Sequence, residues 1–253
     1  YEKWTDHYFE TLTNPSSKRT IRSAWNYCSS IYNMQAKDLR ARHIKGCMEH
    51  GTYVVDGKEK HPSHTTKTKI KSLFNLMLDY ALEYEIVDKN YARTFKLSDD
   101  IIKDIEEEKK DHIDFTDEEI KKLWNHLYDT DYVDVLLIQC YSGWRPQELG
   151  LIKTENVDLE NWFFSGGIKT DAGKDRLVPI HPKIRDLVKQ RYQEALSLGS
   201  EYLINCIDTK THRNSKKLTY DKYRHKLEKI IKKLDLNQNH RAHDGRVQFA
   251  TMA

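Results

Sequence analysis

The stretch CYSGWRPQEL, residues 140–149, decides how this chain is read. It follows VDVLLIQ (133–139), an apolar run with the composition of a buried helix. Gly143 and then Arg145 followed by Pro146 break that pattern, because glycine and proline punctuate helices. A core helix has no need of an arginine in such a turn. With Glu148 three residues on, Arg145 has two readings. It forms an ion pair local to one helical turn, or it is a charge presented from a rigid base.

Outward from this stretch, the first half reads as helices. In KRTIRSAWNYCSSIYN (18–33), Ile21, Trp25, Cys28 and Tyr32 recur at helical spacing. In TTKTKIKSLFNLMLDYALEYEIV (65–87), Ile70, Leu73, Met77, Tyr80 and Tyr84 do the same. Between them GTYVVDGKEKHPSH (51–64) holds Gly51, Gly57 and Pro62 and reads as a loop with room for a short hairpin. SDDIIKDIEEEKKDHID (98–114) is a dense charge run and reads as an interdomain linker. FTDEEIKKLWNHL (115–127) opens a new unit. Thr116 and Glu119 have the spacing of a capping box, and Ile120, Leu123, Trp124 and Leu127 form a stripe.

After residue 156 the period shortens. VDLENWFFSGGIKTDAGKDRLVPI (157–180) reads as two or three short strands, with Leu177, Val178 and Ile180 in the last. Helices return in HPKIRDLVKQRYQEAL (181–196) and in 218–236, where Tyr223, Leu227, Ile230, Ile231 and Leu234 are helically spaced. The expected architecture is mainly α with a small antiparallel β-sheet. An all-helical domain (1–104) precedes a linker (105–114) and an α+β domain (115–253).

Composition bounds the function. A chain of 253 residues holds about two domains at ~100–200 residues each. The net charge is only +3, but 32% of residues are charged and lysines cluster, so a polyanion partner is compatible with it. Cys28, Cys47, Cys140 and Cys206 lie far apart and read as reduced thiols of a cytosolic protein, not as a disulfide framework or a zinc site. No apolar run approaches the ~20 residues of a membrane span, and the first residues do not resemble a signal peptide.

Taken singly, the residues that can carry chemistry have plain readings. Lys169 beside a hairpin turn reads as a solvated lysine. His243 and Arg246 read as helix-surface or capping residues. Their order changes this. SGWRPQELGLI (142–152), IKTDAGKDRLVPI (168–180) and HDGRVQFAT (243–251) resemble, in sequence, the first arginine motif, the hairpin lysine motif and the His-x-x-Arg motif of the tyrosine recombinase (phage integrase) family. HPSHTTKTKIKSLFNLMLDYALEYEIVDKNYA (61–92) is similar to the last helices of that family's core-binding domain. Val247 stands where the family usually has a histidine.

The resemblance implies a core-binding domain that binds DNA, then a catalytic domain. Arg145 and Arg246 would clamp a phosphate with planar donor forks, and Lys169 would protonate the leaving 5′-oxygen as general acid. His243 would hydrogen-bond the phosphate or help move the nucleophile's proton. Glu148 would orient a catalytic arginine or histidine. A tyrosine would attack and form a 3′-phosphotyrosyl link that stores the bond energy for rejoining, with neither metal nor other cofactor. No tyrosine follows Arg246; Tyr220 and Tyr223 precede it and are assigned to DNA contact or core packing. The chain is therefore expected to be a catalytic core lacking its C-terminal end and inactive in cleavage.

Double-stranded DNA is the implied partner. With it come further protomers in a tetrameric synapse, accessory DNA-bending proteins, and the cytoplasm of a bacterium, at its nucleoid. Candidate DNA contacts in the first domain are Lys18, Arg19, Arg22, Thr65, Thr66, Lys67, Lys69 and Lys71, at helix starts where hydroxyls and lysines suit phosphate. In the second they are Lys174, Arg213, Lys216, Lys217 and Arg241, with Lys210 in the same run. Three competing readings are an integrase-like DNA-binding module without catalysis, a type IB topoisomerase-like enzyme and a helical interaction domain.

Overall fold

In the computed structural model the described residues are 1–108, 112–167, 176–207, 214–215 and 217–252, with only the backbone described at 105–108, 207, 214 and 215. The chain divides into two compact units, Tyr1–Lys110 and Asp111–Ala253.

The first unit is helical apart from one hairpin. Helices α1 (Glu2–Thr11) and α2 (Pro15–Trp25) are separated by Asn14, whose side chain accepts the Ser16 N–H at 2.8 Å and caps α2, with Pro15 at its first position. The segment 26–31 tightens into a 3-10 helix where Cys28 leaves helical geometry (φ −105°, ψ 20°). Helix α3 (Ala41–His50) leads to strands β1 (Tyr53–Val55) and β2 (Lys58–Lys60). The turn between them is Asp56–Gly57, both at positive φ (50° and 72°), the requirement of a two-residue type I′ hairpin. The loop inferred from its glycines thus includes a hairpin, so this unit is not all-helical.

Helix α4 (His64–Glu83) is capped by Ser63, whose Oγ accepts the Thr66 N–H at 3.3 Å. Its buried face is Ile70, Leu73, Phe74, Met77, Leu78 and Ala81, packed on Ile21, Ala24, Cys28, Ile44 and Cys47. The stripe expected from spacing ran one residue off toward its end: Tyr84 is 53% exposed, and Tyr32 in the preceding helical segment is 47% exposed. Tyrosine tolerates this because its hydroxyl stays in water while the ring packs. Helix α5 (Asp99–Glu108) takes up the first part of the charged stretch, so residues 105–108, expected in a linker, are its last turn. Asp99 and Asp100 in the first turn favour the helix start.

The second unit is built on α7 (Val133–Ser142), in which every residue but Asp134 is buried. Helix α6 (Asp117–Asn125) precedes it with the capping box in place: Thr116 Oγ1 accepts the Glu119 N–H at 3.2 Å and Glu119 Oε2 accepts the Thr116 N–H at 3.0 Å. Thr116→Ala is expected to cost about 1 kcal/mol by urea denaturation. A loss of less than a few tenths would mean the box does not set this helix start. After the short α8 (Pro146–Leu149), strands β3 (Val157–Asp158), β4 (Phe163–Gly166) and β5 (Arg176–Pro179) form an antiparallel sheet in the order β3-β4-β5. Then follow α9 (Arg185–Ser197), the strand pair β6 (Cys206–Ile207) and β7 (Asn214–Ser215), α10 (Tyr220–Lys233) and α11 (Asp244–Met252). All five residues of the α10 stripe are buried. The four cysteines are free and buried. Among the described residues no helix is long and apolar enough to cross a membrane.

Candidate active site

Two turns bring the site together, and one buried side chain ties them. Helix α7 stops at Gly143 in the left-handed conformation (φ 65°). A Cβ there would lie 2.5 Å from the Phe249 ring of α11, so both backbone geometry and packing call for glycine. The chain then reverses, and Arg145 becomes the residue before α8, with Pro146 at its first position. Gln139, near the end of α7 and fully buried, donates through Nε2 to the Trp144 carbonyl (3.2 Å) and the Ala242 carbonyl (2.9 Å). Its Oε1 accepts the Tyr223 hydroxyl at 2.5 Å. One amide thereby sets the turn before Arg145 in register with the turn before α11.

Three arginines meet here. Glu148, only 3% exposed, accepts Arg145 Nη1 on Oε1 (2.9 Å) and Arg176 Nη2 on Oε2 (3.0 Å). Arg176 lies over the Trp144 ring, Cζ to centroid 4.3 Å. Arg246 Nη1 donates to the Gly143 carbonyl. Burial lowers the Arg246 pKa, and the charges of Arg145 and Arg176 lower it further, against the opposing pull of Glu148. Such an arrangement holds excess positive charge on planar donor forks, the form that suits a tetrahedral oxyanion.

His243 stands just ahead of α11, its ring 5.9 Å from His112 and 6.1 Å from Tyr220. Asp244, fully buried, accepts the Arg241 N–H (2.7 Å) and pairs with His112 Nδ1 (2.8 Å). His240 stacks on Phe115 (3.8 Å) and meets Glu119 Oε2 (3.2 Å). Burial raises the Glu119 pKa, but hydrogen bonds from the Asn237 and Thr116 N–H groups and from His240 more than offset it and hold the carboxyl below its usual range.

Of the residues singled out in the sequence, Arg145, Glu148 and Arg246 are brought together, with His243 on the same helix start as Arg246. Lys169, Lys174, Lys210, Arg213 and Lys216 lie outside the described residues. Tyr223 is 1% exposed and hydrogen-bonded to Gln139, and burial lifts its pKa well above the ordinary tyrosine range. Tyr220 is 38% exposed. Arg176, Gln139, Asp244 and His112 were not picked out in the sequence. Gln139 did carry a signal there, since a polar residue inside an apolar run needs hydrogen-bond partners when buried.

The sequence profile of the phage integrase family matches residues 106–252, more than half of the chain. The chain belongs to that family. Among solved structures it is similar in fold to a variant of the Tn1549 transposon integrase in complex with transposon right end DNA (TM-score 0.72, 14% identity, covering all of this chain and 84% of that one). It is also similar to a lambda integrase dimer bound to a COC′ core site (TM-score 0.69, 13% identity, covering 99% of this chain and 88% of that one). A lambda integrase tetramer bound to a Holliday junction aligns at TM-score 0.67 and 12% identity, covering 99% of this chain and 70% of that one. No curated protein sequence matches the chain. A mainly helical chain with small antiparallel sheets is the fold these integrases share.

The basic residues of the first unit fall into separate groups. Lys18 and Arg22, one turn apart on α2, both lie over the Phe9 ring (5.9 and 5.0 Å) with Arg19 exposed beside them. On α4, Lys71 and Lys45 of α3 flank Phe95 (5.2 and 5.1 Å), and Lys67 is on the Lys71 side. Lys69 and Thr65 are exposed on another side, and Thr66 is taken up by the Ser63 cap. In the second unit Lys217 and Arg241 are exposed.

Proposed function

We propose that this integrase carries out site-specific recombination of double-stranded DNA, with Arg145, Arg246, His243 and Lys169 acting on the scissile phosphate and Glu148 orienting Arg145. The observation that carries the reading is the meeting of Arg145 and Arg246 around the turn 143–148 with excess positive charge. Attack on a phosphodiester builds negative charge on the non-bridging oxygens, and preorganised cationic donors stabilise it without reorganisation. A tyrosine oxygen forms the new bond to phosphorus while the bond to the 5′-oxygen breaks, and Lys169 gives that oxygen its proton. A second 5′-hydroxyl reverses the step and seals another strand, so no nucleotide cofactor is consumed. No tyrosine follows Arg246 and Tyr223 is in the core, so no nucleophile is assigned among these residues.

The groups over Phe9 and Phe95, with Lys69, Thr65, Thr66, Lys217, Arg241 and the residues outside the described set (Lys174, Arg213, Lys216), form the proposed duplex contacts. Assembly with further protomers on DNA, accessory bending proteins and a place at the bacterial nucleoid belong to the same proposal. The test is a gel shift on duplex DNA at rising salt. Six or more phosphate contacts predict a loss of about 10³-fold or more between 50 and 200 mM salt. A flat response would sink the reading of a charged clamp on the duplex.

A further inference from the structure

We propose that Arg176 is a positioning residue that keeps one arm of Arg145 free for a phosphate. The inference rests on the phosphate-clamp reading given above. Glu148 divides its two oxygens between two arginines, Oε1 to Arg145 Nη1 and Oε2 to Arg176 Nη2. Left to themselves, a carboxylate and a guanidinium pair through two parallel N–H···O bonds. Arg145 and Glu148 are three residues apart on one turn and already joined by one such bond, so that pairing is within reach. It would turn the whole Arg145 fork onto the protein.

Arg176 blocks it by occupying Oε2, and it is held there independently of Glu148. It opens β5, paired across the sheet with Gly166, and its guanidinium rests on the fully buried Trp144. The charges agree with this role. Three guanidiniums against one carboxylate leave a net +2 (three minus one) at the cluster. Without Arg176, the buried Oε2 would keep only the long bond from the Arg145 backbone N–H (3.4 Å), and the nearest charged donor to replace the one lost is the second Nη of Arg145. The loss would then exceed that of one charge, because Arg145 is taken out as well.

The experiment uses the protein labelled with ¹⁵N in its arginines, titrated with inorganic phosphate and followed at the Nε–H signals of Arg145 and Arg246. R176M keeps an unbranched side chain over Trp144 and is expected to weaken phosphate binding at Arg145 about tenfold or more. R176K still donates to Oε2 and is expected to stay within about threefold of the parent. Adding E148Q to R176M is expected to restore binding, because a neutral amide does not capture the Arg145 fork. If R176M loses the native spectrum, R176L takes its place. Parent-like binding by R176M, or an R176M/E148Q double variant as weak as R176M, overturns the proposal. If the Arg145 and Arg246 signals of the parent protein do not saturate together, the phosphate clamp itself is wrong and this inference falls with it.

Discussion

Arg246→Ala is expected to slow DNA strand joining by about 10²–10³-fold, the usual loss when one preorganised donor to a developing oxyanion is removed. The reaction that reads this without a protein nucleophile joins a 5′-hydroxyl end to a strand bearing a 3′-p-nitrophenyl phosphate. The 5′-oxygen bonds to phosphorus, nitrophenolate leaves with the electron pair, and its absorbance reports the rate. Arg246 donates to the Gly143 carbonyl and sits against the charges of Arg145 and Arg176. Its removal therefore takes away both a donor and part of the site's charge. Affinity for the duplex should change only a few-fold, because many other phosphate contacts share it. Arg246→Lys should recover little, since a point charge does not replace a planar fork. Joining by the alanine variant at the parental rate would show that Arg246 does not act on the phosphate.

Gly245→Ala is expected to destabilise the second unit by about 3 kcal/mol, at the upper end for forcing atoms into a packed core. A Cβ at Gly245 would lie 2.5 Å from Gln139 Oε1 and 3.0 Å from its Cδ. Gln139 has no room to yield. Its amide nitrogen holds two carbonyls and its oxygen holds the buried Tyr223 hydroxyl, so moving it orphans a polar group. Gly46, inside α3, has nothing within 4 Å of its would-be Cβ. Gly46→Ala should stabilise the first unit by roughly 0.5–1 kcal/mol. Urea titrations of both variants give the comparison. If Gly245→Ala costs under 1 kcal/mol, the Gln139 hub is looser than the structure implies.

What could be read from the sequence is what local rules govern. The Thr116–Glu119 box, the α10 stripe and the turn at Gly143 each depend on residues within a turn or two of one another, and each appears in the fold as expected. The Asp56–Gly57 hairpin was only half legible, because three-residue strands carry too little alternation to stand out. The charged stretch hid a helix. Its composition suggested a linker, while the acids of its first turn in fact favour helix formation at that end. Of the residues singled out through motifs, Arg145, Glu148 and Arg246 come together in the fold. Arg176 was quoted within one of those motifs but given no role. Its importance comes from sharing a carboxylate 28 residues away, which no local pattern encodes. The same holds for Gln139, whose partners lie 84 and 103 residues on.

The Glu119 carboxylate has a consequence for how the protein is made. Besides capping its own helix, it accepts the Asn237 N–H at 2.8 Å and meets His240, contacts spanning 118 and 121 residues. A growing polypeptide that has left the ribosome only as far as α10 can form α6 and α7, but it cannot fasten the start of α6 to the turn ahead of α11. Closing so long a loop carries an entropy cost that forming a local helix does not. The same turn delivers His243 and Arg246, so a nascent chain carries Arg145 and its glutamate without their counterpart. The cluster's full positive charge is therefore assembled only after Arg246 has been synthesised, about a hundred residues after Arg145.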